Sequence, residues 1–120
     1  FKYHLDRFKY ASRYNPHEKE FHFKNAQKFL KKLNISLSQS NKNRWLVGDQ
    51  ESIADWCIWP FVRQFEIACN SQKILDYFEE PLESWFNYFS KHENFKYVMH
   101  KYSVWESSSI EKTFPSNLDL

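Results

Sequence analysis

One face of the first helical segment carries tyrosine and arginine side chains that could bind a small molecule. Tyr3, Arg7, Tyr10 and Tyr14 recur every three or four residues, so a helix places them in one row. The other main face of this segment is apolar. A helix with two such faces has two different surroundings, and the aromatic and cationic face is the candidate for a ligand site or a domain interface.

Histidine, cysteine and serine are the other residue types on which catalysis or metal binding could rest. The five histidines form no i, i+4 pair, and none has a cysteine at metal-ligand spacing, so the sequence predicts no zinc site. Ser52 and Asp55 have the spacing of a helix cap, and no histidine is indicated beside them. We therefore interpret both as structural capping residues and predict no catalytic residue in this chain.

The two cysteines, Cys57 and Cys69, bear on the cellular compartment. If both lie on one helix, their separation is roughly 18 Å, which is too far for a disulfide. We interpret each as a small core residue and expect a reducing, cytoplasmic setting. The chain has no run of ~18 apolar residues, so no membrane helix is predicted.

Charge is distributed unevenly along the chain. The net charge of +2 gives no general case for nucleic-acid binding. Residues 1–33 carry nine Lys or Arg against three Asp or Glu, a balance of +6, whereas the remaining residues have a balance of −4. The basic segment could attract an anionic ligand, although a solvated helix face is the commoner explanation.

The spacing of apolar residues predicts the helices that position the candidate residues. Residues 15–18 indicate a helix start. The apolar stripe of the helix that follows ends at a polar loop, residues 38–43. Apolar residues occupy nearly every face of residues 52–68, which predicts a central, surrounded helix. A short helix near residues 74–78 is an open possibility, and two more helices are predicted, one after Pro81 and one over residues 95–102.

The predicted fold is an all-α helical bundle around the central helix at residues 52–68. A single glycine leaves too few turn residues for a β-rich fold. We assign residues 1–105 to the domain and residues 106–120 to a C-terminal tail. The aromatic share of 20% indicates either a second buried surface or a core that favours Phe over Leu. The chain opens inside a helical pattern without Met, so we expect it to belong to a longer protein.

Several segments resemble the C-terminal domain of the glutathione S-transferase family. Residues 48–55, Gly-Asp-Gln-Glu-Ser-Ile-Ala-Asp, are similar to the capping-box segment of that domain. Residues 1–7, 59–65 and 91–98 are similar to its first helix, its central helix and the turn into its penultimate helix in some bacterial members. Glu51 departs from the pattern, because the family often has an apolar staple residue there.

The resemblance implies a helical domain without its N-terminal thioredoxin-like domain, which binds the cosubstrate glutathione. The helical domain supplies one wall of the second-substrate pocket and much of the dimer contact, so a small electrophile and a second copy are implied partners. On this basis Arg7 and His4 offer positive charge to an anionic cosubstrate, while Tyr3 and Tyr10 line an apolar pocket. Interface packing is the alternative for each, and it is favoured for Tyr3 and Tyr14. This fragment alone is expected to be inactive.

Two other functions stay open on the sequence alone. Helical domains of this type also dock partner proteins in translation-factor and synthetase complexes, and the basic residues 1–33 would suit an acidic partner or RNA. A self-sufficient bundle is the third possibility, and the aromatic row argues against it because a soluble monomer should not expose such a patch. An upstream thioredoxin-like domain with a thiol-activating residue would favour the enzyme.

Overall fold

The computed structural model describes residues 1–39, 44–69 and 80–110. Within these ranges the chain forms five α-helices and no strand, which confirms the predicted all-α fold. The helices are α1 (Lys2–Lys9), α2 (Lys19–Gln39), α3 (Ile53–Cys69), α4 (Leu82–Lys91) and α5 (Glu93–Val98). Two 3-10 turns, Ala11–Arg13 and Pro16–Glu18, connect α1 to α2. No helix in the same ranges is long and apolar enough to cross a membrane.

Helices α1 and α2 pack against each other through the apolar faces that the sequence predicts. The Phe8 ring contacts Phe23 of α2 and Phe65 of α3, with ring centroids 5.3 and 5.5 Å apart. Asn15 begins the turn into α2, since its side-chain oxygen accepts a hydrogen bond of 3.1 Å from the backbone N–H of His17. The buried face of α2 carries His22, Ala26, Leu30, Leu33 and Leu37.

Helix α3 is the central helix, and it contacts both α1 and α4. Its buried side carries Asp55, Trp59, Val62 and Phe65. The expectation that neighbours cover all its faces is wrong, because Ile53 and Ile67 are 82% and 47% exposed. These two residues lie on one side of the helix, away from the side that packs against α1 and α4. An apolar composition alone does not reveal which faces find neighbours within the domain.

The two cysteines lie on α3 and are free. Cys57 is exposed on the same outer side as Ile53, so its assignment to the core is wrong. Cys69 is half-buried, and this burial, together with the negative charge of Glu66, raises the pKa of its thiol to about 12. The thiol of Cys69 is therefore protonated and unreactive at neutral pH.

Helix α4 closes the bundle with its buried residues Leu82, Trp85, Phe86 and Phe89. The residue before its first turn, Pro81, provides no capping side chain. The side-chain oxygen of Asn34 on α2 instead accepts a hydrogen bond of 3.0 Å from the backbone N–H of Leu82. The start of α4 is therefore satisfied from another helix, which fixes α4 against α2.

Some boundaries differ from the prediction. Helix α2 continues to Gln39, so the first two residues of the predicted polar loop are helical. Helix α5 ends at Val98, and the apolar residues after it are exposed rather than buried. Residues 40–43, 70–79 and 111–120, which include the possible helix near 74–78 and most of the predicted tail, lie outside the described residues. The division of the chain between residues 105 and 106 stays a prediction.

Candidate functional site

Arg7 forms the centre of a cluster of exposed aromatic side chains on α1. Its guanidinium carbon lies 3.6 Å from the ring centroid of Tyr3 and 4.6 Å from that of Tyr14. Tyr14 follows the 3-10 turn after α1, which folds the chain back so that its ring reaches Arg7. The Tyr3 and Tyr14 rings are 57% and 52% exposed. Two cation–π contacts hold the planar guanidinium in a fixed orientation at the surface.

The charge of Arg7 has no carboxylate partner in the described part of the chain. Asp6, the nearest acid in sequence, forms an ion pair with Lys2 instead. The hydrogen bond from Arg7 to the backbone oxygen of Tyr3 measures 3.5 Å, at the limit of such a contact. The N–H groups of Arg7 are therefore available to a planar anion such as a carboxylate.

His4 contacts His22 next to this cluster. The two Nδ1 atoms are 2.8 Å apart, which is a hydrogen bond between α1 and α2. His22 is only 3% exposed, and its Nε2 lies 3.5 Å from a carboxylate oxygen of Glu18. The ring of Tyr3 packs with its edge or face against both histidines, with centroids 5.1 and 5.8 Å apart. The Tyr3 ring therefore packs against the pair of imidazole rings.

The pKa of His4 is lower than that of an ordinary histidine. Burial is the largest cause, because it removes water from the charged form, and the adjacent His22 is the next. The positive charges of Arg7 and Lys28 lower it further. His4 is therefore neutral at pH values around 7, and Arg7 supplies the fixed positive charge of the site.

Tyr10 belongs to a separate group of side chains. Its ring lies 4.9 Å from the Lys9 ammonium and 4.9 Å from the Arg13 guanidinium. The structure thus brings Tyr3, His4 and Arg7 together, whereas Tyr10 stacks with other cations. Helix α1 ends at Lys9, so the row that a longer helix would form is broken before Tyr10.

Asp55 is fully buried and accepts four hydrogen bonds. Its Oδ2 accepts from the backbone N–H of Ser52 at 3.0 Å and from the Ser52 hydroxyl at 2.7 Å. Its Oδ1 accepts from the backbone N–H of Leu46 at 3.0 Å and from Trp85 Nε1 at 2.8 Å. The carboxylate therefore joins the start of α3 to the preceding loop and to α4.

Glu51, the departure from the family pattern, forms a polar contact where an apolar staple would lie. Its carboxylate is 3.6 Å from His92 Nε2, and His92 Nδ1 accepts a hydrogen bond of 3.1 Å from the backbone N–H of Asn94. Burial and the nearby Glu51 carboxylate raise the pKa of Tyr88. Glu51 therefore places the loop before α3 next to the junction of α4 and α5.

His22 is a residue of this site that the metal-ligand spacings in the sequence do not indicate. The available signal was its position on the buried stripe of α2, four residues before Ala26 and eight before Leu30. A histidine on a buried stripe requires a hydrogen-bond partner. The sequence does not say which residue of another helix provides that partner, since the contact depends on how α1 packs on α2.

The fold and the buried capping carboxylate define a class, namely an all-helical domain organised around one capped central helix. The family model "Glutathione S-transferase, C-terminal domain" matches residues 2–102. The chain belongs to this family, as the resemblance of residues 48–55 predicted. No curated protein and no solved structure matches the chain.

Proposed function

We propose that this domain forms the second-substrate side of the cleft in a glutathione S-transferase-like protein. Joined to a thioredoxin-like domain, it would conjugate or reduce small electrophiles with glutathione. The single observation that carries this proposal is the Arg7 guanidinium, which is held between Tyr3 and Tyr14 without a carboxylate partner in the described ranges. The family assignment supports the same reading.

The side chains of this surface have different roles in the proposal. Arg7 binds an anionic group of the cosubstrate, because its planar N–H groups match a carboxylate. Tyr3 contributes an apolar wall beside it. His4, neutral at physiological pH, acts as a hydrogen-bonding support for the Tyr3 ring rather than as a source of charge. Tyr10 lies apart from this group, beside Lys9 and Arg13, and we assign it no contact with the cosubstrate.

The partners of the domain follow from its exposed apolar surfaces. The aromatic cluster around Arg7 would face the thioredoxin-like domain and the cleft, and a homodimer would cover the outer side of α3 at Ile53 and Ile67. Free cysteines are compatible with a reducing, cytoplasmic setting.

An arginine substitution in the intact two-domain protein tests the site. We expect Arg7→Ala to weaken glutathione binding, or to raise the KM for glutathione, by about tenfold, the effect of losing one charge-assisted hydrogen-bonded pair. Isothermal titration calorimetry and conjugation kinetics measure the two quantities. Lys9→Ala is the matched control, since Lys9 is an exposed cation of the same helix that contacts Tyr10 instead.

Two results would contradict the proposal. An unchanged affinity of Arg7→Ala for glutathione would show that Arg7 does not bind the cosubstrate. If the folded intact protein neither binds glutathione nor turns over thiol-reactive electrophiles, the alternative function holds. The domain is then a non-catalytic interaction module of the same fold.

A further inference from the structure

The contact between His4 and His22 depends on where protons lie on the two rings. An N–H···N hydrogen bond needs one imidazole nitrogen that carries a proton and one that does not. The Nε2 of His22 faces the Glu18 carboxylate, and a carboxylate favours a proton on the nitrogen next to it. His22 Nδ1 is then the acceptor, and His4 Nδ1 carries the proton and donates.

The hydrogen bond between the two rings can persist when one additional proton binds the pair, but not when two bind. A first proton on His4 Nε2 leaves the Nδ1–H donor of His4 in place. The only vacant nitrogen that remains is His22 Nδ1, the acceptor itself. A second proton there sets two N–H groups and two positive charges against each other at 2.8 Å. The hydrogen bond is then lost and replaced by repulsion.

We propose that the His4–His22 pair is a proton-operated latch between α1 and α2. The latch is closed while at most one of the two rings is charged, and it opens when both rings are charged. Because Tyr3 packs on both rings, opening releases the part of α1 that carries the aromatic cluster. The two histidines belong to the helix pair α1 and α2, and their contact does not depend on glutathione binding.

The surroundings of the pair set the direction of its response. On α1 the neighbouring charge is Arg7, and on α2 it is Lys28; both are positive and oppose protonation of His4. Glu18, in the 3-10 turn before α2, is the negative group that faces the pair, and its carboxylate lies 3.5 Å from His22 Nε2. Burial and these positive charges lower the pKa of His4, so the latch is closed at neutral pH and opens on acidification.

The substitution His4→Asn distinguishes the effect of the His4–His22 pair from a general sensitivity of the fold to acid. An asparagine amide at position 4 has both a donor and an acceptor near the position of His4 Nδ1, so it can turn to suit either protonation state of His22. We expect amide hydrogen exchange in α1, corrected for intrinsic rates, to speed up about two- to tenfold in the wild-type chain between about pH 8 and about pH 5. In His4→Asn the corrected rates should stay constant over this range.

His17→Asn is the matched control, because it removes an exposed histidine outside the pair and should show the wild-type response. Equal acid sensitivity in wild type and His4→Asn, or no acid response in wild type, would overturn the proposal. A measurement without any variant adds a second check. Imidazole ¹⁵N shifts at about pH 8 should show the Nδ1–H tautomer for His4 and the Nε2–H tautomer for His22; the reverse pair of tautomers would also overturn it.

Discussion

At the scale of single residues, Asp55 shows how one side chain can stabilise several segments. A buried carboxylate is costly unless donors surround it, and Asp55 has four, from Leu46, Ser52 and Trp85. Both its oxygens are used equally. Removal of the carboxylate therefore leaves buried N–H groups without acceptors, and this is a larger penalty than the loss of a surface cap.

Substitutions at the cap of α3 should lower the free energy of unfolding in proportion to the number of hydrogen-bond donors that each one leaves unpaired. We expect Asp55→Ala to lower the free energy of unfolding by about 3 kcal/mol or more, and Ser52→Ala by about 1 kcal/mol. Asp55→Asn should fall between them, because an amide oxygen can still accept from Leu46 and Trp85 while its N–H₂ group faces the Ser52 N–H. Denaturant unfolding measures the order. A cost for Asp55→Ala no larger than that for Ser52→Ala would contradict the assigned hydrogen bonds.

At the scale of helices, the packed faces could be read from the sequence, whereas the contacts between helices could not. The stripe from Ala26 to Leu37 is buried as its spacing predicts, because periodicity reports which side faces a core. The exposure of Ile53 could not be predicted, since it depends on which neighbours reach α3. The bond between His4 and His22 likewise joins two helices at a point that local spacing does not specify.

The start of α4 offers a test of contact between helices. Asn34→Ala removes the acceptor for the Leu82 N–H, and we expect a loss of about 1 kcal/mol in the free energy of unfolding, typical of a lost helix cap. Asn25→Ala is a suitable control, because the Asn25 side chain donates within its own helix to the Phe21 backbone oxygen. Equal effects of the two substitutions would show that Asn34 does not hold α4.

At the scale of the whole molecule, the all-helical architecture could be predicted from helical periodicity and the single glycine, and the family from the resemblance of residues 48–55. The composition of the first helix also indicated a surface with aromatic and cationic character. The sequence did not reveal that α1 ends before Tyr10, which separates Tyr10 from Tyr3 and Arg7. A helix end depends on where packing ceases to support it, and the sequence between Lys9 and Asn15 contains no proline or glycine that would mark it.

The lowered pKa of His4 predicts a pH dependence of the whole fold. Below the ordinary histidine pKa of about 6.5, the unfolded chain binds a proton that the folded chain resists, so the unfolded state gains relative stability. This contribution to stability is present at pH values above the unfolded pKa and is lost as the pH falls towards the lower pKa of the folded state. Unfolding curves between about pH 7 and about pH 5 should show a smaller loss of stability in His4→Asn than in wild type.

The exposed His17 again provides the reference, since His17→Asn should leave the pH dependence unchanged. A pH dependence in His4→Asn as steep as that of wild type would show that groups other than His4 dominate acid unfolding.

The partners of Asp55 lie at very different distances along the chain, and this has a consequence for the order of folding. Ser52 is three residues away, Leu46 nine and Trp85 thirty. Short loops close before long ones, so the Ser52 contact forms first and the Trp85 contact last. The start of α3 is therefore secured only after α4 has docked. A nascent chain that ends before Trp85 has a complete α3 sequence with an incompletely satisfied first turn.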